Sequence, residues 1–187
     1  MRSNQVGLEM TPEQYRVLSN CQRVWHRNAF WSFLYLQSRV FSSPNSPVVQ
    51  DDVLTLADQY GSLLGQYYGY EAGRLFYNNT YEYLRTYVEY VNSMAQGNEE
   101  KSKDHLKLWN SNAELVINQL CELNAHWREL EWRGMLTQEM QILKDAAARY
   151  LEGQYDDLSF LYDVYANIAS EIAEYMAVGM IKQFTIR

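Results

Sequence analysis

Apolar residues recur at alternating spacings of three and four along most of this chain, which is the period of an α-helix that buries one face. No segment shows the strict alternation that is typical of a half-buried strand. The residues between the apolar segments also suit helix ends. Thr11, Pro12 and Gln14 fit a capping box, and Gly97 and Gly153 fit the C-terminal ends of two helices. The sequence therefore predicts an all-α protein.

The apolar pattern divides the chain into six predicted helices, at about 12–41, 51–65, 70–97, 98–124, 125–151 and 155–183. The segment 42–50 holds two of the three prolines and is expected to be a loop. Because the later connections are short, successive helices must fold back antiparallel. We expect an up-and-down antiparallel helix bundle of four long helices plus one or two additional helices. It would form a single domain over residues 1–187, with residues 1–10 disordered or loosely attached.

Composition excludes several classes of partner. The net charge of −7 disfavours nucleic acid, which requires clustered basic residues. No stretch is long and apolar enough to span a bilayer, and the first ten residues contain no apolar signal segment. We therefore expect no membrane partner and a cytoplasmic location, where Cys21 and Cys121 would stay reduced.

The sequence lacks the common catalytic motifs. Phosphate-binding glycine loops, the GxSxG elbow, CxxC and HExxH are all absent. Helix bundles that bind two iron ions use Glu-x-x-His pairs, and this chain has none. Its three histidines, His26, His105 and His126, fall outside the predicted inward faces. A ferritin-like di-iron centre of the usual kind is therefore disfavoured.

Asn28, Tyr83 and Glu139 each interrupt one apolar helix face, and Glu82, Asn112 and Asp163 lie just beside such faces. Burial of a carboxylate such as Glu139 would be costly unless the group is paired or bound to a metal. One interpretation is a hydrogen-bonded cluster that fixes helix register, and the other is a ligand or metal pocket. Glu139, Glu82 and Asp163 are the candidate metal ligands. The complete set of candidate site residues is Asn28, Trp31, Glu82, Tyr83, Asn112, Glu139 and Asp163.

Tyrosine is unusually frequent, with sixteen residues in the chain, eight of which lie in YYGYEAGRLFYNNTYEYLRTYVEY at 67–90. Tyrosines in a bundle supply a large packing area and a polar tip that reaches solvent. The alternative interpretation is that they line a binding groove or a dimer face.

Three segments carry a resemblance to a known family: LWNSNAELV (108–116), ELNAHW (122–127) and EYMAVGMIKQF (174–184). They are similar to a W-x-x-N-A run, an N-P-x-W-like run and an M-A-x-x-x-x-x-G-I-I-K-Q-F-like ending in small uncharacterised all-helical proteins of spore-forming bacteria. The resemblance covers most of the chain and implies a helical fold. Some members are labelled kinase or glycosyltransferase, which a helical chain without a phosphate loop does not support.

The same resemblance implies a further comparison at the interrupted faces. The family pattern has histidines at the positions of Asn28, Tyr83 and Glu139, and three converging histidines would imply a transition-metal site. This chain replaces all three. Trp31 and Ser32 keep the W-T part of the family's first-helix motif, while Phe33 replaces its arginine. The resemblance thus implies either a lost metal site or one remodelled around Glu139 and Glu82.

Two functions remain open from the sequence. The leading interpretation is a non-enzymatic helical-bundle protein that acts by ligand or protein binding, with a homodimer as one arrangement. The alternative is a metal-binding bundle, di-iron or mononuclear, that uses a divalent transition metal for oxidoreductase-like activity. The sequence names neither the ligand nor the biological process.

Overall fold

Residues 10–187 are described by a computed structural model, in which they form seven α-helices and no strand. The predicted all-α class is confirmed. Five helices are long, one more than expected, and two are short. The helices are α1 (Pro12–Val40), α2 (Ser46–Leu54), α3 (Leu56–Tyr68), α4 (Tyr70–Ala95), α5 (Glu99–Leu123), α6 (Glu129–Glu152) and α7 (Leu158–Gln183).

Apart from the short α2, the described helices alternate in direction along the chain, as expected for an up-and-down bundle. The start of α1 packs on the end of α7, where Cys21 Sγ lies 3.9 Å from Met180 Sδ. α1 and α4 run parallel. Tyr87 Oη donates to the Ser32 carbonyl at 2.7 Å, and further along both helices Tyr35 Oη donates to Asn92 Oδ1 at 3.1 Å. α1 packs against α2, α3, α4, α6 and α7, so it lies at the centre of the fold.

Most helix ends follow the sequence pattern. Thr11 and Gln14 form the predicted capping box of α1, and Gly153 ends α6 in the left-handed conformation that favours glycine. The segment 42–50 departs from the prediction, because α2 already begins at Ser46. Pro47 lies in the first turn of α2, where its missing N–H breaks no intrahelical hydrogen bond.

A tight helical hairpin joins α3 to α4. Gly69 alone separates the two helices, and its φ of +89° is accessible mainly to glycine. Beyond this turn the backbones nearly touch. A Cβ on Gly73 would lie 2.6 Å from the Gly61 carbonyl oxygen and 2.7 Å from Gly65 Cα. Only glycine therefore permits this approach, which fixes α3 against α4.

The sequence predictions on membrane spans, on the chain's N-terminal residues and on the cysteines can be compared with the structure. No helix among residues 10–187 is long and apolar enough to cross a bilayer. The expectation for residues 1–10 lies, except for Met10, outside the described residues, and the single-domain boundary stays a prediction. Cys21 is buried, Cys121 is half-buried, and both thiols are free.

The close approach of α3 and α4 generates a stability prediction. Gly73→Ala is expected to lower the free energy of unfolding by about 1–3 kcal/mol, because the added methyl group meets backbone atoms that cannot rotate away. Gly134→Ala in α6 is the matched control, since a Cβ there meets nothing within 4 Å. It should raise stability by about 0.5–1 kcal/mol through helix propensity. Urea denaturation measures both, and equal effects of the two variants would contradict the packing described.

Candidate functional site

The three interrupted helix faces meet around one carboxyl group in the core. Asn28 Nδ2 donates to Glu139 Oε1 at 2.9 Å. Tyr165 Oη donates to the same oxygen at 3.1 Å, and Tyr83 Oη approaches it at 3.5 Å. Asn28, Tyr83, Glu139 and Tyr165 are each no more than 7% exposed. We call these four residues the Glu139 cluster.

Helix geometry explains why the cluster forms. Asn28, Tyr83, Glu139 and Tyr165 lie on the inward faces of α1, α4, α6 and α7, so each helix contributes one residue. The contacts within the cluster also link its members directly, because Asn28 Nδ2 lies 3.3 Å from Tyr165 Oη. Ser32, one turn after Asn28, makes a long contact of 3.5 Å from its Oγ to Asn28 Oδ1. Four helices are thereby held in one register at the middle of the bundle.

Burial determines the charge state of this group. Desolvation raises the pKa of the Glu139 carboxyl from 4.5 to about 7, although the hydrogen bonds from Asn28, Tyr165 and Tyr83 oppose the rise. Desolvation and the nearby Glu139 charge both raise the pKa of Tyr83 and Tyr165 well above the usual value. The two phenols therefore stay protonated and act as donors. None of the ion pairs among the described residues includes Glu139.

The second oxygen of the Glu139 carboxyl lacks the contacts that the first one makes. Glu139 Oε2 is buried and has no hydrogen-bond partner among the described residues. The same holds for the hydroxyl of Tyr60 on α3, whose pKa is raised by desolvation and by the Glu139 charge. An unpaired buried oxygen favours the protonated carboxyl, because a neutral oxygen loses less solvation energy than a charged one.

The structure places the remaining candidate site residues outside the cluster. Glu82 is on the outer side of α4, where its carboxylate is 46% exposed and binds Arg85 at 2.6 Å. Asn112 links α5 to α4 by donating to the Glu82 carbonyl at 3.2 Å. Asp163 is exposed, and Trp31 is half-buried against Phe30 with ring centroids 5.0 Å apart.

The predicted metal ligands are therefore not assembled. Glu139 lies in the core, whereas Glu82 and Asp163 lie on the outer surface of their helices. Among residues 10–187, no group of three or more His, Cys, Asp and Glu side chains is placed to hold a metal ion. The candidate set fails because Glu82 and Asp163 lie beside the apolar faces, and one position of helical offset rotates a side chain by about 100°.

The histidines also lie away from Glu139. His26 is exposed and its Nε2 is 2.8 Å from Ser170 Oγ on α7. His105 Nδ1 lies 3.0 Å from the Glu89 carbonyl oxygen, and His126 is exposed. Each histidine is thus part of a local surface contact.

The sequence prediction missed two features. Tyr165 and Tyr60 are polar members of apolar faces, and this signal alone would have placed them with Asn28 and Glu139. It also missed two surface grooves on either side of α3, which share the lining residues Asp58, Ser62 and Gln66. Concave surfaces arise between helices, so the pattern on a single helix does not reveal them.

Comparison with known proteins adds no assignment, because no family model, no curated protein and no solved structure matches this chain. The resemblance to a family from spore-forming bacteria therefore stays a prediction. The Glu139 cluster and the surface of the bundle are the features that bear on function.

The raised pKa of Glu139 generates a pH prediction. The unfolded state takes up a proton near pH 4.5 and the folded state near pH 7, so the folded state is the more protonated of the two between these values. Glu139 therefore favours folding most below pH 4.5, and this contribution is lost as pH rises to about 7. At about 1.4 kcal/mol per pKa unit, the loss is on the order of 3 kcal/mol.

Glu139→Gln should remove this dependence, because an amide stays neutral at every pH. Urea denaturation of both proteins from pH 4 to pH 8 is expected to show the variant gaining about 3 kcal/mol relative to the wild type. Glu122→Gln is the matched control, since Glu122 is exposed on the surface of α5. A constant difference between Glu139→Gln and wild type across this range would show that Glu139 is not buried as described.

Proposed function

We propose that this protein is a non-enzymatic helical bundle that acts by binding a partner or ligand at its surface, and that the Glu139 cluster is an internal structural element. The proposal rests on the contacts that Glu139 Oε1 makes within the chain. This oxygen accepts its contacts from Asn28, Tyr165 and Tyr83, all of which are buried residues of the same chain. One oxygen of the strongest candidate for chemistry is thus held by the bundle itself, and the other is buried with it.

Reactivity requires a reactant within about 3 Å of the group that acts on it. Glu139 is 1% exposed, and none of the five surface cavities described for this protein is lined by a member of the Glu139 cluster. The two thiols do not supply an alternative nucleophile. Burial raises the pKa of Cys21 to about 12, and burial together with the Glu129 charge raises the pKa of Cys121, so both stay as unreactive thiols at neutral pH.

The surface has features that suit binding. One face of α4, beside α3, presents Tyr70, Arg74, Tyr77 and Tyr81 at spacings of three and four. Tyr77 and Tyr81 are half-buried, whereas Tyr70 and Arg74 are exposed. Tyr70 is 76% exposed, and Tyr77 stacks on Tyr81 with ring centroids 6.0 Å apart. Tyrosine and arginine are the residue types that contribute most energy to protein interfaces. This arrangement supports the interpretation of the tyrosine-rich segment as a binding face.

The proposal is tested by elemental analysis of the full chain purified without chelator. If Glu139 is structural, transition metals are expected in substoichiometric amounts, unchanged by Glu139→Gln. Circular dichroism of the variant confirms that it folds. A stoichiometric transition metal that is retained by the wild type and lost in folded Glu139→Gln would overturn the proposal in favour of a metal-binding bundle.

A further inference from the structure

Two adjacent grooves flank the outward face of α3. One lies between α3 and α4, has a volume of about 510 Å³, and is bordered by Tyr70, Arg74 and Tyr77. The other lies between α1 and α3, has a volume of about 300 Å³, and is bordered by Asn20, Arg23 and Arg27. Volumes of this size match those of small-molecule sites. We call the second one the α1–α3 groove.

The charge of the α1–α3 groove is opposite to that of the whole chain. It is lined by two guanidinium groups, Arg23 and Arg27, and by one carboxylate, Asp58. The chain as a whole has 23 acidic and 16 basic residues. Asp58 forms no ion pair with either arginine, so no described residue neutralises the two positive charges inside the groove.

The two arginines are also free to bind a ligand. Arg23 and Arg27 are one helical turn apart on α1, and both are exposed. Arg23 Nη2 donates to the neutral Asn20 Oδ1 at 3.3 Å, and Arg27 makes no hydrogen bond or ion pair with a described residue. Arg74 in the neighbouring groove differs, because it donates two hydrogen bonds to Glu71 Oε2 at 2.9 and 3.1 Å. Of the arginines that line the two grooves, only Arg23 and Arg27 therefore lack a carboxylate partner among the described residues.

The remaining lining residues add neutral hydrogen-bonding groups. Asn20 and Gln59 contribute side-chain amides from the two walls, and Ser62 and Gln66 contribute a hydroxyl and an amide from the α3 face shared with the larger groove. Guanidinium groups bind phosphate oxygens through paired N–H donors, and amide and hydroxyl groups supply the other contacts that such a ligand needs. A dianionic phosphate balances two arginines better than a single carboxylate does.

We propose that the α1–α3 groove binds a small molecule that carries a phosphate group, and that Arg23 and Arg27 bind this phosphate. This inference rests on the proposed binding function and names its ligand class. The phosphate lies between α1 and α3, and the part of the ligand without phosphate extends over Ser62 and Gln66 toward Tyr70 in the larger groove.

The test uses the full chain and inorganic pyrophosphate as the probe. NMR amide shifts are recorded during titration of the wild type, of Arg23→Gln/Arg27→Gln, and of Lys101→Gln/Lys107→Gln. The last variant is the matched control, because it removes the same charge from α5, which lines neither groove. Titrations at low and high salt distinguish specific binding from general charge attraction.

We expect wild-type shifts confined to residues 20–27 and 58–66. The arginine variant should weaken binding at least about tenfold, whereas the lysine variant should change it less than about twofold. A saturable response at these residues that the arginine variant abolishes supports the inference. No response there, or equal losses in both variants, overturns it.

The two proposals fail in different ways. An acidic peptide that binds the α1–α3 groove while pyrophosphate does not would overturn the ligand class and leave the binding function intact. A stoichiometric metal bound through Glu139 would overturn the binding function, whatever the titration shows.

Discussion

The contacts to Glu139 Oε1 are the interaction on which the centre of this bundle depends. A carboxyl group removed from water loses its solvation, and this loss must be offset by donors that the protein holds in place. Asn28 and Tyr165 provide two such donors at 2.9 and 3.1 Å, and they come from different helices. A shift of any one helix along its axis would break at least one contact and leave a buried polar group unpaired, which costs about 1–3 kcal/mol. The cluster therefore specifies register more than it adds stability.

The aromatic residues around the cluster bury it. Tyr60 packs edge-on against Trp25 with ring centroids 5.0 Å apart, and the ring centroids of Tyr83 and Trp109 are 5.8 Å apart. The Gly61 and Gly73 backbones bring α3 close to α4, so that Tyr60 on α3 reaches the core that α4 also faces. Because this shell buries Glu139, the same carboxyl that fixes register also has a pKa near neutrality. Packing and electrostatics at this point are consequences of one arrangement.

The sequence was sufficient to predict the all-α class and three of the interior polar positions. Asn28, Tyr83 and Glu139 break apolar faces at helical spacing, and helices of alternating direction bring such faces together. It was insufficient for Glu82, Asn112 and Asp163, because residues beside an apolar face can lie inside or outside, depending on how each helix is rotated about its axis. The start of α2 at Ser46 was missed because a proline in the first turn, here Pro47, gives the same signal as a loop.

The surface grooves were harder to predict for a related reason. Arg23 and Arg27 look like ordinary solvated charges on α1, and only the packing of α3 beside them creates a groove with unneutralised arginines. The hairpin that positions α3 requires Gly69 and Gly73, which also look like ordinary helix breakers in the sequence. Tertiary packing thus gives these residues roles that periodicity on one helix cannot show.

The protonation state of Glu139 is the most direct test of the buried cluster. Carbon-13 NMR of the Glu139 side-chain carboxyl, assigned by comparison with Glu139→Gln, follows its titration from about pH 2.5 to pH 9, a range that includes the ordinary carboxyl pKa. We predict a single transition near pH 7, well above the ordinary value of 4.5. A transition at or below 4.5 would contradict the burial described here, because it would show that water or a positive charge stabilises the carboxylate.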